Sequence, residues 1–159
     1  VTGIAYSRDE ARITLTNVEN KPGVSAGLFG PLAEAGINVD MIVQNVTEKE
    51  KQTDITFTVG KTDLARAIEI VKSDKRMPKF ESMHSDSGVA KVSVIGVGMR
   101  SHAGIAAEMF KTLADKNINI IVISTSEIKI STLINEEYLE LALRALHTVY
   151  GLDANEERG

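Results

Sequence analysis

Short segments in which apolar and polar residues alternate recur along the chain. Ile13 and Leu15 alternate with threonines in ARITLTNV, and a similar segment, AKVSVIGV, starts at Ala90. Alternation of this kind is typical of a β-strand with one buried face. Further strands are predicted for INVDMIVQNV from Ile37, TDITFTV from Thr53, KFESMHS from Lys79, INIIVISTS from Ile118 and EIKISTLI from Glu127.

Apolar residues spaced three or four positions apart predict four helices between these strands. In the first helix, Pro22 is placed to begin the helix and Gly36 to end it. The apolar stripe of this helix consists of Val24, Leu28, Leu32 and Ala35. The other helices are predicted for TDLARAIEIVKSD with Thr62 or Asp63 as its cap, for Ala103 to Lys116, and for EEYLELALRALHTVY from Glu136.

The two halves of the chain repeat each other. GVSAGLFGPLAEAGINV, starting at Gly23, aligns without a gap with GIAAEMFKTLADKNINI, starting at Gly104. Each copy has the order βαββαβ, which predicts an α+β fold of two tandem ferredoxin-like domains, each with an antiparallel sheet and helices on one face. The predicted domains are residues 8–87 and residues 88–151.

The second copy lacks a fourth strand, since the polar segment LDANEERG follows Gly151. We therefore expect the N-terminal segment VTGIAYS, residues 1–7, to complete the second sheet through pairing of Gly3 to Tyr6. Residues 152–159 are predicted to be a disordered tail.

Composition narrows the possible functions. The chain has 159 residues, a net charge of -4, 4% aromatic residues and no cysteine. These values argue against nucleic acid as a partner and exclude disulfides and cysteine nucleophiles. No apolar run is long enough to span a membrane, so a cytoplasmic protein is expected.

No catalytic or metal site emerges from the spacing of the titratable residues. The three histidines, His84, His102 and His147, do not have the spacing of a triad or a metal site. GVGMRSHAG, from Gly96, resembles a dinucleotide fingerprint, but its third glycine comes too late. We expect no cofactor, no metal and no catalytic residues.

The loops that enter the first helix of each copy suit a small zwitterion. NKPGVS and RSHAGI each deliver a glycine to a helix N-terminus, where free N–H groups favour a carboxylate. Asn38 and Asn119 begin the next strands and could hold the other end of the ligand. Polar residues follow on the same strands: Gln44 and Asn45 in one copy, Thr125 and Ser126 in the other. From these residues alone, a purely structural role in shaping the turns stays open.

The loop NKPG followed by GINVD resembles the ACT domain, a small-molecule-sensing module. ISTSEIKIS, from Ile123 to Ser131, is more specific and resembles the tandem ACT region of the aspartokinase family. The resemblance extends from Gly3 to Gly151, with no kinase domain in the sequence. It implies a non-catalytic regulatory β subunit that forms a homodimer and pairs with a catalytic α subunit.

The resemblance also implies effector sites where two ACT domains meet. The first site would use Asn20, Pro22, Gly23, Val24, Ser25, Asp40 and Gln44, with Asn119, Ile120 and Ser126 as its second wall. The second site would use Met99, Ser101, Gly104, Ile105, Asn38, Val39 and Thr125. The sequence departs from the family at Asn20, where aspartate is common, and at His102 and Ala103, which replace a Lys-Pro pair. The two sites are therefore expected to differ.

The function implied is feedback inhibition of aspartate phosphorylation through binding of L-threonine, L-lysine or both. Three alternatives stay open: a tandem ACT sensor that regulates a different enzyme, an enzyme in its own right, and an assembly subunit with vestigial sites. The motif ISTSEIKIS argues against the first of these, and the lack of a nucleotide loop argues against the second.

Overall fold

The computed structural model describes residues 1–46, 52–96 and 102–152. The chain divides into two compact units, one of residues 9–87 and one that combines Val1–Arg8 with the residues from Gly88 onward. The strands are β1 (Gly3–Glu19), β2 (Val39–Val46), β3 (Gln52–Val59), β4 (Ser82–Ile95), β5 (Ile120–Thr125) and β6 (Lys129–Asn135). The helices are α1 (Val24–Glu34), α2 (Leu64–Ser73), α3 (His102–Asp115) and α4 (Leu139–Val149).

The unit of residues 9–87 has the strand order β2-β3-β1-β4, with antiparallel pairing of β1 and β2 to β3. Ile13, Leu15 and Phe57 point from the sheet into a core closed by α1 and α2. The predicted helical stripes are confirmed, since the fully buried or partly buried residues of the two helices pack against this core. The predicted stripe residues among them are Val24, Leu28, Leu32, Ala35, Leu64, Ala67, Ile68 and Val71, and Phe29 and Ile70 pack there as well.

The other unit has the strand order β1-β4-β6-β5, with a core between these strands and α3 and α4. Its first strand comes from the N-terminus. The amide of Thr2 donates to the carbonyl of Ile95 over 2.8 Å, and Val1 and Ile4 pack against the core. This confirms the prediction that the N-terminal segment completes the second sheet.

In two places, segments that the sequence predicts as two separate strands form one continuous strand in the structure. VTGIAYS, from Gly3 onward, and ARITLTNV both belong to β1. KFESMHS and AKVSVIGV both contribute to β4, which begins at Ser82 rather than Lys79. The polar run from Arg8 to Glu10 interrupts the apolar alternation in β1, but it contains no residue that breaks an extended backbone. A strand thus continues where its hydrophobic pattern is lost.

Several element boundaries also differ from the predictions. α1 begins at Val24 rather than Pro22, because Gly23 has a φ of 90°, which lies outside the helical region. β2 and β5 begin two residues later than predicted, at Val39 and Ile120. β1 contains a bulge at Asn17, which the sequence did not indicate; φ there is 51°, and the amide donates to Asp54 Oδ1 over 2.9 Å.

Some predictions fall on residues that the structure does not describe. They are the charged turn EKEKQ, most of the GVGMRSHAG loop and most of the predicted tail. The antiparallel pairing of β2 with β3 confirms that these two strands form a hairpin.

A buried hydroxyl pair joins β4 to β6. Ser93 Oγ and Ser131 Oγ are 2.7 Å apart, and the two residues are 2% and 5% exposed. We expect Ser93→Ala to lower the free energy of unfolding by about 1–2 kcal/mol, because the hydroxyl of Ser131 loses its partner in a buried position. Urea denaturation would measure the change, with Ser73→Ala, at an exposed serine, as the control.

The double variant distinguishes pairing from simple loss of volume. We expect Ser93→Ala with Ser131→Ala to cost less than the sum of the two single variants, since it leaves no orphaned hydroxyl. Additive losses would contradict this account.

Candidate functional site

The N-terminus of α1 is an open turn built around Gly23. This residue has φ 90° and ψ -14°, a left-handed conformation that favours glycine. The amide of Val24 donates to the carbonyl of Lys21, and the amide of Gly27 to the carbonyl of Gly23. Among the described residues, no side chain caps this helix. The amides of Ser25 and Ala26 therefore lie at a helix start suited to a carboxylate.

The structure brings Gln44 to this turn, as the sequence predicts. Its Nε2 donates to Oδ1 of Asn20 in a long hydrogen bond of 3.4 Å, and both side chains are exposed. Gln44 therefore joins the outer strand β2 to the loop that enters α1.

The other candidate residues of β2 lie at its opposite end. Asn38 and Asp40 are exposed, and Val39 is half-buried against the core. Asp40 and Gln44 lie four residues apart on this strand, so their Cα atoms are separated by about 13 Å. The α1 turn and the start of β2 are thus two separate places in this unit.

A cleft of about 490 Å³ opens beside the α1 turn. Its walls are the turn itself and residues 76–79, the segment that leads from α2 toward β4. The lining residues are Glu19, Lys21, Pro22, Gly23, Val24, Gly27, Arg76, Met77, Pro78 and Lys79. Sequence patterns did not indicate the wall formed by residues 76–79, because these residues lie more than 50 positions from the turn along the chain.

The equivalent turn of the other unit is built differently. His102 Nε2 donates to the carbonyl of Glu127 over 2.9 Å, which ties the start of α3 to the turn before β6. Gly104 is exposed, whereas the side chain of Ile105 is buried in the core and its carbonyl accepts from the Tyr150 hydroxyl over 2.9 Å. Ile105 can therefore offer a ligand little beyond its main chain. Two predicted site residues, Met99 and Ser101, lie outside the described residues.

The remaining candidates of this unit lie along β5. Thr125 and Ser126 are exposed at its end, where the amide of Ser126 donates to the carbonyl of Lys129. Asn119 and Ile120 lie at the opposite end, at the start of the strand. Asn119 also lines a cleft of about 570 Å³, together with Ala114, Asn117, Ile118, Ile121, Asn135, Glu137 and Tyr138.

Other kinds of site find little support in the described part of the chain. No three histidine or acidic side chains within it are grouped to hold a metal ion. None of the helices in these same ranges has the length and apolar character needed to cross a membrane.

The comparisons with known proteins bear on both units. ACT-domain models match residues 12–76 and 92–150. A chain in the crystal structure of aspartokinase alpha and beta subunits is 47% identical, with a TM-score of 0.85 over 96% of this chain and 99% of that one. This chain belongs to the tandem ACT regulatory regions of the aspartokinases. The expected α+β architecture of two ACT domains is thus confirmed.

Two further relatives place the chain within this family. The ligand-free regulatory subunit of aspartate kinase from Thermus thermophilus is 39% identical, with a TM-score of 0.84 over 94% of this chain and 99% of that one. An aspartokinase of Pseudomonas aeruginosa is 50% identical over 159 residues. The chain spans 38% of the length of that aspartokinase. We refer below to residues 9–87 as the first ACT domain and to the other unit as the second.

Proposed function

We propose that this tandem ACT region binds L-threonine, L-lysine or both and thereby mediates feedback inhibition of aspartate phosphorylation. The observation that carries the proposal is the uncapped, left-handed turn at Gly23 with Gln44 hydrogen-bonded to Asn20 beside it. The helix-start amides would donate to the α-carboxylate of the amino acid. The family to which the chain belongs is regulatory, which supports the same role.

Asn20 would receive the ammonium group of the effector. Its Oδ1 already accepts from Gln44, but a carbonyl oxygen has two lone pairs and can accept a second hydrogen bond. Gln44 would then act by orienting this oxygen. A neutral amide attracts an ammonium less strongly than a carboxylate does, so the affinity should be lower than with aspartate at position 20.

A second copy of the chain would complete the site. The turn of the first ACT domain is open to solvent, and its exposed residues leave room for an opposite wall. We propose that Asn119 and Ile120 of a second copy supply that wall in a homodimer; Ser126 is left out because it lies at the opposite end of β5. The catalytic subunit or domain of an aspartokinase would be the further partner. The effector can change the activity of this catalytic part only if it binds one packing of the domains more tightly than another.

The first test is calorimetric titration of Gln44→Ala with threonine and with lysine. We expect about tenfold weaker binding of the effector, which corresponds to the loss of one hydrogen bond next to a charged group. Asn45→Ala is the matched control, because Asn45 is also exposed but its side chain leaves the opposite face of the same strand. Equal affinity of Gln44→Ala and the unaltered chain would contradict the assignment of the site.

Thermal melting distinguishes a sensor from an assembly subunit. An effector that binds only the folded state raises the melting temperature, by an amount that grows with the logarithm of its concentration once it exceeds the dissociation constant. We expect a rise with threonine or lysine and none with serine at the same concentration. If neither amino acid raised the melting temperature, the sensor function would be refuted. Reconstitution with the catalytic part of an aspartokinase would then show whether binding inhibits phosphorylation of aspartate.

A further inference from the structure

Arg76 binds two carboxylates at the ends of the two helices of the first ACT domain. Its two terminal nitrogens donate to the two carboxylate oxygens of Glu34, the last residue of α1, over 2.9 and 2.8 Å. The same guanidinium donates to Asp74, the residue after α2, through Nε over 3.1 Å and through a terminal nitrogen over 3.0 Å. The amide of Arg76 also donates to Asp74 Oδ1 over 2.8 Å. We call Glu34, Asp74 and Arg76 the helix-end clamp.

The charges of the clamp persist through the neutral pH range. Hydrogen bonds from Arg76, aided by its positive charge, lower the pKa of Glu34 below its ordinary value. Side-chain and backbone hydrogen bonds from Arg76 likewise lower the pKa of Asp74. Hydrogen bonds to Asp74 and Glu34 raise the pKa of Arg76. Groups with lowered pKa values lose their contribution only as the pH falls through those values, so the clamp is intact at neutral pH and weakens in acid.

The backbone beyond the clamp lies directly on α1. A Cβ atom at Gly27 would come within 2.8 Å of the carbonyl oxygen of Arg76, so only glycine permits this approach. Met77 packs against the core of the same domain, and its amide donates to the carbonyl of Asp74. The path of residues 76–79 is therefore fixed at its beginning by the clamp and along its side by α1.

These same residues form the second wall of the cleft at the α1 turn. The clamp is exposed, and exposed ion pairs usually add little to global stability. A bidentate guanidinium that joins two elements does, however, fix geometry. The main consequence of the clamp should therefore be the position of the wall rather than the stability of the fold.

We propose that Arg76 is a positioning residue for the effector site, which holds residues 76–79 at the distance from the α1 turn that the ligand requires. This inference rests on the function proposed above. Arg76 acts through the main chain of the wall, and Glu34 and Asp74 act through Arg76. A lysine side chain at position 76 cannot take over the role of Arg76, because its ammonium group has no planar fork to bind both carboxylates.

The experiment compares Arg76→Ala and Arg76→Lys with the unaltered chain by amide hydrogen exchange, melting and calorimetric titration. We expect exchange at the amides of residues 76, 77 and 79 to become about tenfold faster in both variants, because local opening is easier. Effector affinity should fall about fivefold to tenfold, as for loss of a preorganised wall. The melting temperature should stay within about 2 °C, as is usual for an exposed ion pair.

Two further variants test whether weaker effector binding comes from displacement of residues 76–79 or from a general loss of charge. Lys111→Ala removes an exposed ion pair with Asp115, 2.9 Å long, on α3 of the second ACT domain and should leave effector affinity unchanged. Gly27→Ala keeps the clamp but forces its new Cβ against the carbonyl of Arg76, so it should weaken binding in the same direction.

The outcomes are distinguishable. Native exchange rates at residues 76, 77 and 79 in Arg76→Ala would overturn the inference, as would faster exchange with unchanged affinity. If the unaltered chain and Arg76→Ala bind the effector equally well, the positioning role of Arg76 is wrong but the proposed function stands. An unaltered chain that binds neither threonine nor lysine overturns the proposed function, and the positioning role with it.

Discussion

Replacing Gly96 with alanine is expected to lower the free energy of unfolding of the second ACT domain by about 2–4 kcal/mol. Gly96 has a φ of 86°, which an alanine adopts only with strain. A Cβ atom there would also lie 2.5 Å from Thr2 Oγ1 and 2.7 Å from the amide nitrogen of Thr2. The N-terminal strand must therefore move away, which breaks the hydrogen bond from Thr2 to Ile95.

The loss should be large because the N-terminal strand covers an edge of the sheet and part of the core. Val1 and Ile4 pack against that core, and their displacement returns apolar area to water. Urea denaturation would measure the change. Gly3→Ala is the control, since a Cβ atom at Gly3 meets nothing within 4 Å.

A second variant identifies the cause. Thr2→Gly removes the Oγ1 and Cγ2 atoms that the new Cβ would meet, but it leaves the amide nitrogen in place. Combined with Gly96→Ala, it should restore part of the lost stability and not all of it. If Gly96→Ala were as stable as the unaltered chain, the close approach of the N-terminal strand would be wrong.

Much of the fold could be predicted because the two halves of the chain repeat each other, so that each copy can be compared with the other. The missing fourth strand of the second copy predicted the role of the N-terminal segment, and the pairing of Thr2 with Ile95 confirms it. The continuity of β1 and β4 could not be predicted in this way. Hydrophobic alternation marks where a strand has one buried face, and it is lost wherever the same backbone passes through a polar stretch such as Arg8 to Glu10.

The site was only partly predictable, for a different physical reason. The Gly23 turn is a local feature, because its glycine and the following helix are adjacent in sequence. The helix-end clamp joins Arg76 to Glu34 across 42 positions, and no periodicity or motif links two such residues before the chain folds. The side of the cleft that depends on tertiary structure was therefore the side that sequence patterns missed.

Replacing Phe57 with alanine is expected to lower the free energy of unfolding of the first ACT domain by about 3–5 kcal/mol, because it removes a large ring from a closed core. Phe57 is fully buried on β3, opposite Ile13 of β1 and Ile42 of β2. Its ring meets that of Phe29 edge to face, with centroids 5.4 Å apart and planes at 83°. Thermal melting and urea denaturation would measure the loss.

Two control variants test whether the loss of stability comes from removing a large buried ring. Phe57→Leu keeps most of the volume and should cost clearly less than the alanine variant. Ile42→Ala removes an aliphatic side chain that is 52% exposed on the neighbouring strand and should change stability by less than about 1 kcal/mol. A loss in Phe57→Ala no larger than that in Ile42→Ala would contradict the packing described for this core.

The same substitution links the core to the effector site. Phe29 lies on α1, so the edge-to-face contact fixes the helix whose N-terminal turn holds Gly23 and whose side receives residues 76–79. In the folded fraction of Phe57→Ala we therefore expect weaker effector binding, whereas Phe57→Leu should bind nearly as well as the unaltered chain. Unchanged affinity in Phe57→Ala would mean that the turn holds its geometry without the core beneath it.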